Sequence, residues 1–163
     1  IERVFLTKSF IRTYNITRGT ARTCQVDRVT HINDTTVTFK RYFYNILHRK
    51  IMIPLEGTLY FDRKDLVIVR APGYKYKEEL IFYDAHFKCA VIKITTPYRD
   101  GVVTHDLRVW NAYMKFGPAS DCVKKFSKRE LHGRVVYSHK CRGIVEGVES
   151  LQPAQMQTQK QDR

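Results

Sequence analysis

An acid, an arginine and the only tryptophan occupy every second position in one segment, at Asp106, Arg108 and Trp110. Alternate residues of a β-strand point to the same face, so a strand here would present an ion pair and an indole together. Such a face can line a ligand cavity. Alternatively, the pair is a salt bridge on the outer surface, with Leu107 and Val109 facing inward. The segment by itself leaves both arrangements open.

The other reactive residues form no recognisable catalytic or metal-binding pattern. The six histidines are dispersed, without an HxH or HExxH pair, and no glycine-rich phosphate loop is present. The one pair of neighbouring glutamates, Glu78 and Glu79, would face opposite sides of a strand. We therefore expect a protein that is not an enzyme and has no catalytic residues, no metal site and no cofactor.

The cysteines indicate secretion. Their even number and wide spacing suit two disulfides, for which three pairings are possible, and they lack the spacing of a zinc site. Two glycosylation sequons, at Asn15 and Asn33, point the same way. Because residue 1 is Ile rather than Met, we expect that any signal peptide has been removed. The cysteines are Cys24, Cys89, Cys122 and Cys141.

The net charge of +13, from 29 Lys and Arg against 16 Asp and Glu, attracts polyanions such as nucleic acids, heparin-like glycans or anionic membranes. The basic residues are scattered and form no known nucleic-acid motif, so we expect a solvated basic face and no specific nucleic-acid partner. Weak binding to glycans stays open. No apolar run approaches the ~20 residues of a membrane span, so we expect none.

The spacing of strand-like segments predicts an antiparallel β-structure. Such segments recur about every ten residues between turn signals, as in a sandwich or barrel. Pro54 would confine its segment to an edge or a bend. The predicted strands before the central segment are Arg3–Tyr14, Thr23–Ile32, Thr35–Asn45, Lys50–Pro54, Thr58–Phe61, Leu66–Arg70 and Glu79–Phe87.

Two strands follow between Lys88 and Met114, and then the pattern changes. Apolar residues at helical intervals predict a helix over Pro118–Leu131, followed by a last strand over Arg134–Cys141. We assign residues 1–141 to one domain and expect the polar tail 142–163 to be disordered. This order predicts an eight-stranded antiparallel up-and-down barrel with a ligand-holding interior and one C-terminal α-helix packed outside.

Several short motifs, in this order and spacing, resemble the tick salivary lipocalins, the group that includes the histamine-binding proteins and japanin. The resemblance covers about Arg3 to Cys141. It rests on Arg12-Thr13-Tyr14-Asn15 before Cys24, Lys88-Cys89-Ala90-Val91, His105-Asp106-Leu107-Arg108-Val109-Trp110-Asn111, and Gly117-Pro118 to Phe126 before Cys141. It implies a secreted salivary protein with the lipocalin barrel and two disulfides, Cys24–Cys141 and Cys89–Cys122. The first would close the longer loop and stabilise more on the chain-entropy model.

Two departures from the family pattern bear on the ligand. For the amine-binding members of the family, the resemblance implies an acid directly after the strand cysteine, where this chain has Ala90. The resemblance also implies a Trp at the position of Arg108 and a second acid on the same strand. Of these, only the second acid is matched, by Asp106. An unpaired inward arginine would repel a cationic amine. Histamine or serotonin scavenging by Asp106 is therefore the alternative prediction.

The main prediction is a monomer that binds a small hydrophobic ligand and modulates host inflammation or immunity. A free Arg108 would favour a fatty acid or an eicosanoid such as leukotriene B4, whereas an Arg108 neutralised by Asp106 would favour a sterol such as cholesterol. As an alternative from another functional class, the basic surface could bind a host immune protein, a cell surface or a glycan. The predicted ligand-binding residues are Phe39, Phe61, Tyr83, Ala90, Ile92, Asp106, Arg108 and Trp110.

Overall fold

The computed structural model describes residues 1–7, 9–17, 21–97, 101–129 and 133–148. Nine β-strands, two α-helices and two 3₁₀ helices lie in these ranges. The strands are β1 (Ile11–Ile16), β2 (Thr23–Ile32), β3 (Thr36–Tyr44), β4 (Lys50–Leu59), β5 (Leu66–Ala71), β6 (Tyr74–Asp84), β7 (Cys89–Thr95), β8 (Val103–Trp110) and β9 (Arg134–Val135). The helices are α1 (Glu2–Phe5), α2 (Ser120–Arg129) and the 3₁₀ helices Asn111–Phe116 and His139–Val145.

The first eight strands form a closed barrel. Each of β2 to β7 pairs antiparallel with the next strand along the chain, and β1 pairs with both β2 and β8. The short β9 pairs with β1 outside the barrel. The predicted eight-stranded up-and-down barrel is therefore confirmed.

Alternation along the strands sorts side chains between the interior and the outer wall. On β8, Trp110 belongs to the interior apolar core, whereas Leu107 and Val109 pack in a second cluster with α2. The second cluster also contains Cys122 and Phe126, which stand one helical turn apart on α2. The exposed face of α2 carries Lys124, Lys125, Lys128 and Arg129. This amphipathic pattern explains why the predicted helix lies outside the barrel.

Two disulfides link the C-terminal part of the chain to the barrel, and their pairing is the one that the resemblance implies. Cys24 of β2 is bonded to Cys141 in the second 3₁₀ helix. Cys89 at the start of β7 is bonded to Cys122 of α2. The second bond therefore fixes α2 to the barrel wall.

The N-terminal segment differs from its prediction as a strand from Arg3. Residues Glu2–Phe5 form α1, and β1 begins only at Ile11. Val4 and Phe5 are fully buried in the interior core. A helix of four residues is too short to give a helical period, so its mixture of apolar and charged residues resembled a strand.

The predicted strands Lys50–Pro54 and Thr58–Phe61 are one strand, because β4 runs continuously from Lys50 to Leu59. Pairing with β5 begins only at Glu56, so the missing N–H of Pro54 faces no partner strand on that side. Farther along β4, a Cβ atom on Gly57 would lie 2.6 Å from a methyl group of Val67 and 2.7 Å from one of Val37. Gly57 therefore lets the interior side chains pack against the backbone of β4.

Other boundaries shift at strand and helix ends. Strand β6 begins five residues before the predicted Glu79, directly after the Pro72-Gly73 turn. Helix α2 begins at Ser120, two residues later than predicted, and its predicted end at Leu131 lies outside the described ranges. The predicted strand over Arg134–Cys141 is β9 followed by a 3₁₀ helix that extends to Val145, with Ile144 buried beside Cys141. Of the predicted disordered tail, residues 149–163 lie outside the described ranges.

Candidate functional site

The two ends of the barrel differ. Helix α1 lies at the end where β1 begins, and the α-amino group of Ile1 donates a hydrogen bond to the carbonyl of Lys64 in the β4–β5 connection. Because the strands alternate in direction, the β2–β3 and β6–β7 connections lie at this same end, which we name the closed end. The β3–β4, β5–β6 and β7–β8 connections lie at the opposite end, which we name the open end.

Aromatic side chains fill the interior towards the closed end. The ring centroids of Phe5 and Phe39 are 5.3 Å apart, and those of Tyr83 and Trp110 are 5.9 Å apart. Phe39 and Trp110 are buried, and Tyr83 packs against them while half-buried. Three of the predicted ligand-binding residues thus lie in one apolar layer next to α1.

A layer of buried charged groups crosses the barrel above this apolar layer. Arg41 of β3 donates two hydrogen bonds to Asp27 of β2, from Nε to Oδ1 at 2.7 Å and from Nη2 to Oδ2 at 2.8 Å. Its Nη1 donates to the hydroxyl of Tyr76 on β6 at 2.9 Å. The side chain of Asp27 is 1% exposed and that of Arg41 is 6% exposed.

Arg108 of β8 forms the second half of this charged layer. Its Nη1 and Nη2 donate to the two carboxylate oxygens of Glu78 at 2.9 and 2.7 Å. Its Nε and Nη2 also donate to Oδ2 of Asp106, at 3.3 and 3.0 Å. Asp106 and Arg108 therefore lie inside the barrel, and the alternative placement on the outer surface is wrong. Ala90 and Ile92 of β7 pair with them and are fully buried in the same interior.

The charged layer holds three carboxyl groups and two guanidinium groups, one acid in excess. Burial raises the pKa of Glu78, but the adjacent Arg108 and Arg41 outweigh it, so the pKa of Glu78 lies below its ordinary value. At Asp106 burial outweighs the attraction of Arg108 and Arg41, so the pKa of Asp106 is raised. Of these two acids, Asp106 is thus the one that more readily holds a proton. No described residue donates a hydrogen bond to its Oδ1.

Four residues of the charged layer were not among the ligand-binding residues predicted from the sequence. Their signal is a polar residue at an inward position between apolar ones, as in Phe39-Lys40-Arg41-Tyr42-Phe43. The same pattern occurs in the segment 74–80, where Tyr76 and Glu78 alternate with outward residues. The missed residues are Asp27, Arg41, Tyr76 and Glu78.

One predicted barrel-lining residue lies elsewhere. Phe61 follows the end of β4, and its side chain is 94% exposed. It borders a groove of about 340 Å³ at the closed end, together with Ile1 and Lys64. The prediction that Phe61 lines the barrel is therefore wrong, because β4 ends two residues before it, at Leu59.

Towards the open end, the interior wall is apolar and only partly covered. Four of the side chains packed on the interior core there are half-buried. They belong to β4, β5, β6 and β7, so they line one half of the barrel wall at the entrance. These residues are Ile53, Ala71, Tyr74 and Ile94.

The remaining predicted features can be located as follows. Asn15 lies within β1, with its Oδ1 buried, whereas Asn33 lies in the β2–β3 turn, where its Oδ1 accepts hydrogen bonds from the N–H groups of Thr35 and Thr36. Within the described ranges, no three His, Cys, Asp or Glu residues are placed to hold a metal ion. Neither α-helix in these ranges is long and apolar enough to span a membrane.

Comparison with solved structures identifies the architecture. Japanin from Rhipicephalus appendiculatus, in a structure with bound cholesterol, aligns over 83% of this chain and 97% of its own, with a TM-score of 0.62 and 13% identity. The siderocalin Ex-FABP aligns over 82% of this chain and 96% of its own, with a TM-score of 0.59 and 12% identity. The fold is that of the lipocalins.

Lobster H1 crustacyanin, from Homarus americanus, shares this lipocalin fold at a TM-score of 0.66 and 8% identity, covering 86% of this chain and 82% of its own. At the level of sequence, no family model and no curated protein matches the chain. The similarity to these lipocalins is therefore one of fold, and the chemistry of the site rests on the residues of this chain.

Proposed function

We propose that this protein binds a small, hydrophobic, uncharged ligand with a hydroxyl group, such as a sterol, in the open half of its lipocalin barrel. The observation that carries this proposal is the pairing of Arg108 with Glu78. Four N–H···O contacts join the Arg108 guanidinium to Glu78 and Asp106, so it has little capacity left for a ligand carboxylate. A fatty acid or an eicosanoid would have to compete with two carboxylates that are already bound.

The open half of the barrel offers a site with the usual composition of a small-molecule pocket. Apolar walls with a few placed polar groups are typical of such pockets. Ile53, Tyr74 and Ile94 would contact the apolar body of the ligand. The charged layer would form the floor, with Oδ1 of Asp106 as the group able to exchange a hydrogen bond with a ligand hydroxyl.

The predicted ligand-binding residues divide between the two halves of the barrel. Ile92, Asp106 and Arg108 belong to the proposed floor. Phe39, Tyr83 and Trp110 lie nearer to α1, and Ala90 pairs with Arg108 between the halves. We propose that they support the floor, and that the indole of Trp110 reports on binding above it.

Two structural neighbours support the choice of ligand class. Japanin was solved with cholesterol, and an odorant-binding protein from cattle shares the fold at a TM-score of 0.52 and 13% identity. The motifs similar to tick salivary lipocalins, together with the disulfides, support a secreted, monomeric salivary protein. In that setting, binding a host mediator or a host immune protein would modulate inflammation or immunity.

An amine is the second candidate ligand. The charged layer has one carboxyl group in excess, and Arg108 is paired rather than free to repel a cation. With a proton lost from Asp106, Oδ1 could accept a charge-assisted hydrogen bond from an ammonium group. We propose binding rather than catalysis in either case, since every carboxylate of the layer is engaged by a guanidinium.

Titration of the purified, delipidated protein with cholesterol, oleic acid and histamine tests these candidates, using the fluorescence of the single tryptophan. We expect saturable binding of cholesterol, with oleic acid binding more weakly. In Asp106→Asn, cholesterol binding should persist while any histamine binding is lost, because the amide provides hydrogen bonds without charge. Tighter binding of oleic acid than of cholesterol would overturn the sterol proposal, and a barrel that saturates only with histamine would establish the amine.

A further inference from the structure

The open end of the barrel carries an exposed apolar loop. In the rim loop, defined as residues 45–50 between β3 and β4, the side chains of Ile46 and Leu47 are 79% and 67% exposed. Oδ1 of Asn45 accepts hydrogen bonds from the backbone N–H groups of Leu47 and Arg49, at 2.9 and 3.0 Å. The loop is thus held in an ordered turn that keeps both apolar side chains at its tip instead of folding them onto the barrel.

Cations surround this apolar tip. His48, Arg49 and Lys50 follow it directly and are exposed. The neighbouring open-end connection, taken as residues 70–75 so that it includes the adjoining ends of β5 and β6, adds the exposed Arg70 and Lys75. Neither segment contains an acid. A cationic collar around aliphatic side chains is complementary to an anionic lipid surface, with headgroups outside and acyl chains within.

The third of these open-end connections, between β7 and β8, also exposes apolar side chains. Val102 and Val103, at the start of β8, are each 44% exposed. Strands β7 and β8 lie across the barrel from β3 and β4 in the strand order, so apolar side chains stand on both sides of the entrance.

The closed end has exposed apolar residues but a different charge. Phe61 and Phe87 are 94% and 51% exposed there. The described connections at that end carry the bases Arg63, Lys64 and Lys88 but also four acids, which cancel this positive charge: Asp34, Asp62, Asp65 and Asp84. Charge therefore distinguishes the two ends where apolar exposure does not.

We propose that the open end of the barrel docks on anionic lipid membranes, with Ile46 and Leu47 inserted below the headgroups and Arg49 and Lys50 bound to phosphate or carboxylate groups. This orientation would place the barrel entrance against the lipid, so that a hydrophobic ligand could pass between bilayer and barrel without crossing water. Docking itself needs no ligand and would occur with an empty barrel, so it can fail or succeed independently of the sterol proposal.

Vesicle flotation with the delipidated full chain tests this docking. We expect the protein to float with vesicles of phosphatidylcholine and phosphatidylserine but not with phosphatidylcholine alone. Ile46→Ser combined with Leu47→Ser should weaken the partition by about tenfold or more, because the buried apolar area is lost. Arg49→Gln combined with Lys50→Gln should also weaken it and reduce its dependence on salt.

Phe61→Ser is the matched control, since it removes an apolar side chain at the closed end that is even more exposed than Ile46 or Leu47. Its partition should equal that of the unaltered protein. Three results would overturn the proposal: no flotation with the anionic vesicles, equal losses from Phe61→Ser, or unchanged flotation of the Ile46 and Leu47 variant. The last result would mean adsorption by charge alone, as expected for a surface that binds any polyanion, including heparin. Circular dichroism melting of each variant verifies that these surface changes leave the fold intact.

Discussion

Glu78 on β6 and Arg108 on β8, on either side of β7, are joined by two hydrogen bonds of 2.9 and 2.7 Å inside the barrel. Their side chains are 0% and 1% exposed. Transfer of two charges from water to such a site is costly and is offset only by good geometry and further partners. Here the further partners are Asp106, which binds Arg108, and Arg41, whose Nη2 lies 3.4 Å from Glu78.

We predict that Glu78→Gln destabilises the protein strongly. The variant leaves Arg108 buried with a weaker partner, and breaking a buried pair by removing one charge costs about 3–5 kcal/mol. Urea unfolding followed by tryptophan fluorescence would measure the loss in the free energy of unfolding.

Glu79→Gln is the matched control for this variant. Glu79 stands next in sequence but faces outward, where it pairs with the partly exposed Lys77 and Arg63. Exposed pairs contribute about 1 kcal/mol or less, so the control should unfold nearly as the unaltered protein does. Similar losses in the two variants would mean that the pair with Arg108 contributes no special stability.

We predict that the contribution of Asp106 to the free energy of unfolding decreases as pH rises. The pKa of Asp106 is raised in the native state, mainly by burial, against about 4 for an aspartate in an unfolded chain. Between these two pKa values the native state keeps a proton that the unfolded state has lost. The free energy of unfolding therefore decreases as pH increases through that window, and the contribution is lost above the native pKa.

Asp106→Asn should remove this decline, because an amide has no proton to lose. Urea unfolding from about pH 4 to about pH 8 would compare the two proteins. Glu78 does not mask the effect, because its lowered pKa acts in the opposite direction and at lower pH. Asp62→Asn, in the exposed β4–β5 connection, is the control and should keep the decline. An Asp106→Asn protein with the same pH dependence as the unaltered one would contradict the prediction.

The alternation on β8 was enough to predict that Asp106, Arg108 and Trp110 share a face, because strand periodicity is a local property. Their partners were not predictable in the same way. The register places Ile94 of β7 opposite Glu78 and Ala90 opposite Arg108, so the two charged residues are offset along their strands and meet diagonally inside the barrel. The ligand preference depends on that register. A free arginine and a paired arginine have the same sequence but favour different ligands.

Errors at strand ends have a related cause. Phe61 extends the apolar run Thr58-Leu59-Tyr60-Phe61, yet the pairing with β5 stops at Leu59. Apolar character alone does not tell where a strand loses its partner. Likewise, the burial of Val4 and Phe5 depends on the barrel having an end to close, which is a property of the tertiary structure.

We predict that a single N-linked glycan is attached, at Asn33. Its turn lies at the end of the β2–β3 hairpin, next to the exposed Asp34 and Thr35. At Asn15 the strand pairs with β8 and β9, and a Cβ atom on Gly133 would lie only 2.7 Å from Oδ1 of Asn15, so the native wall has little room for a glycan. After secretion from a eukaryotic host, deglycosylation should shift the mobility of the protein. Asn33→Gln should abolish the shift and Asn15→Gln should retain it. A shift that persists in Asn33→Gln would contradict the assignment.

We predict that the Cys24–Cys141 disulfide stabilises the fold more than the Cys89–Cys122 disulfide does. The bonded residues are 117 and 33 positions apart, respectively, so the first restricts a longer loop of the unfolded chain. On the chain-entropy model, this difference in loop length corresponds to about 1 kcal/mol. All four sulfurs belong to buried residues, so replacing either pair by alanine removes similar packing. Urea unfolding of the two double-alanine proteins would measure the difference. A larger loss from the Cys89 and Cys122 variant would mean that fixing α2 to the barrel wall outweighs the restriction of the unfolded chain.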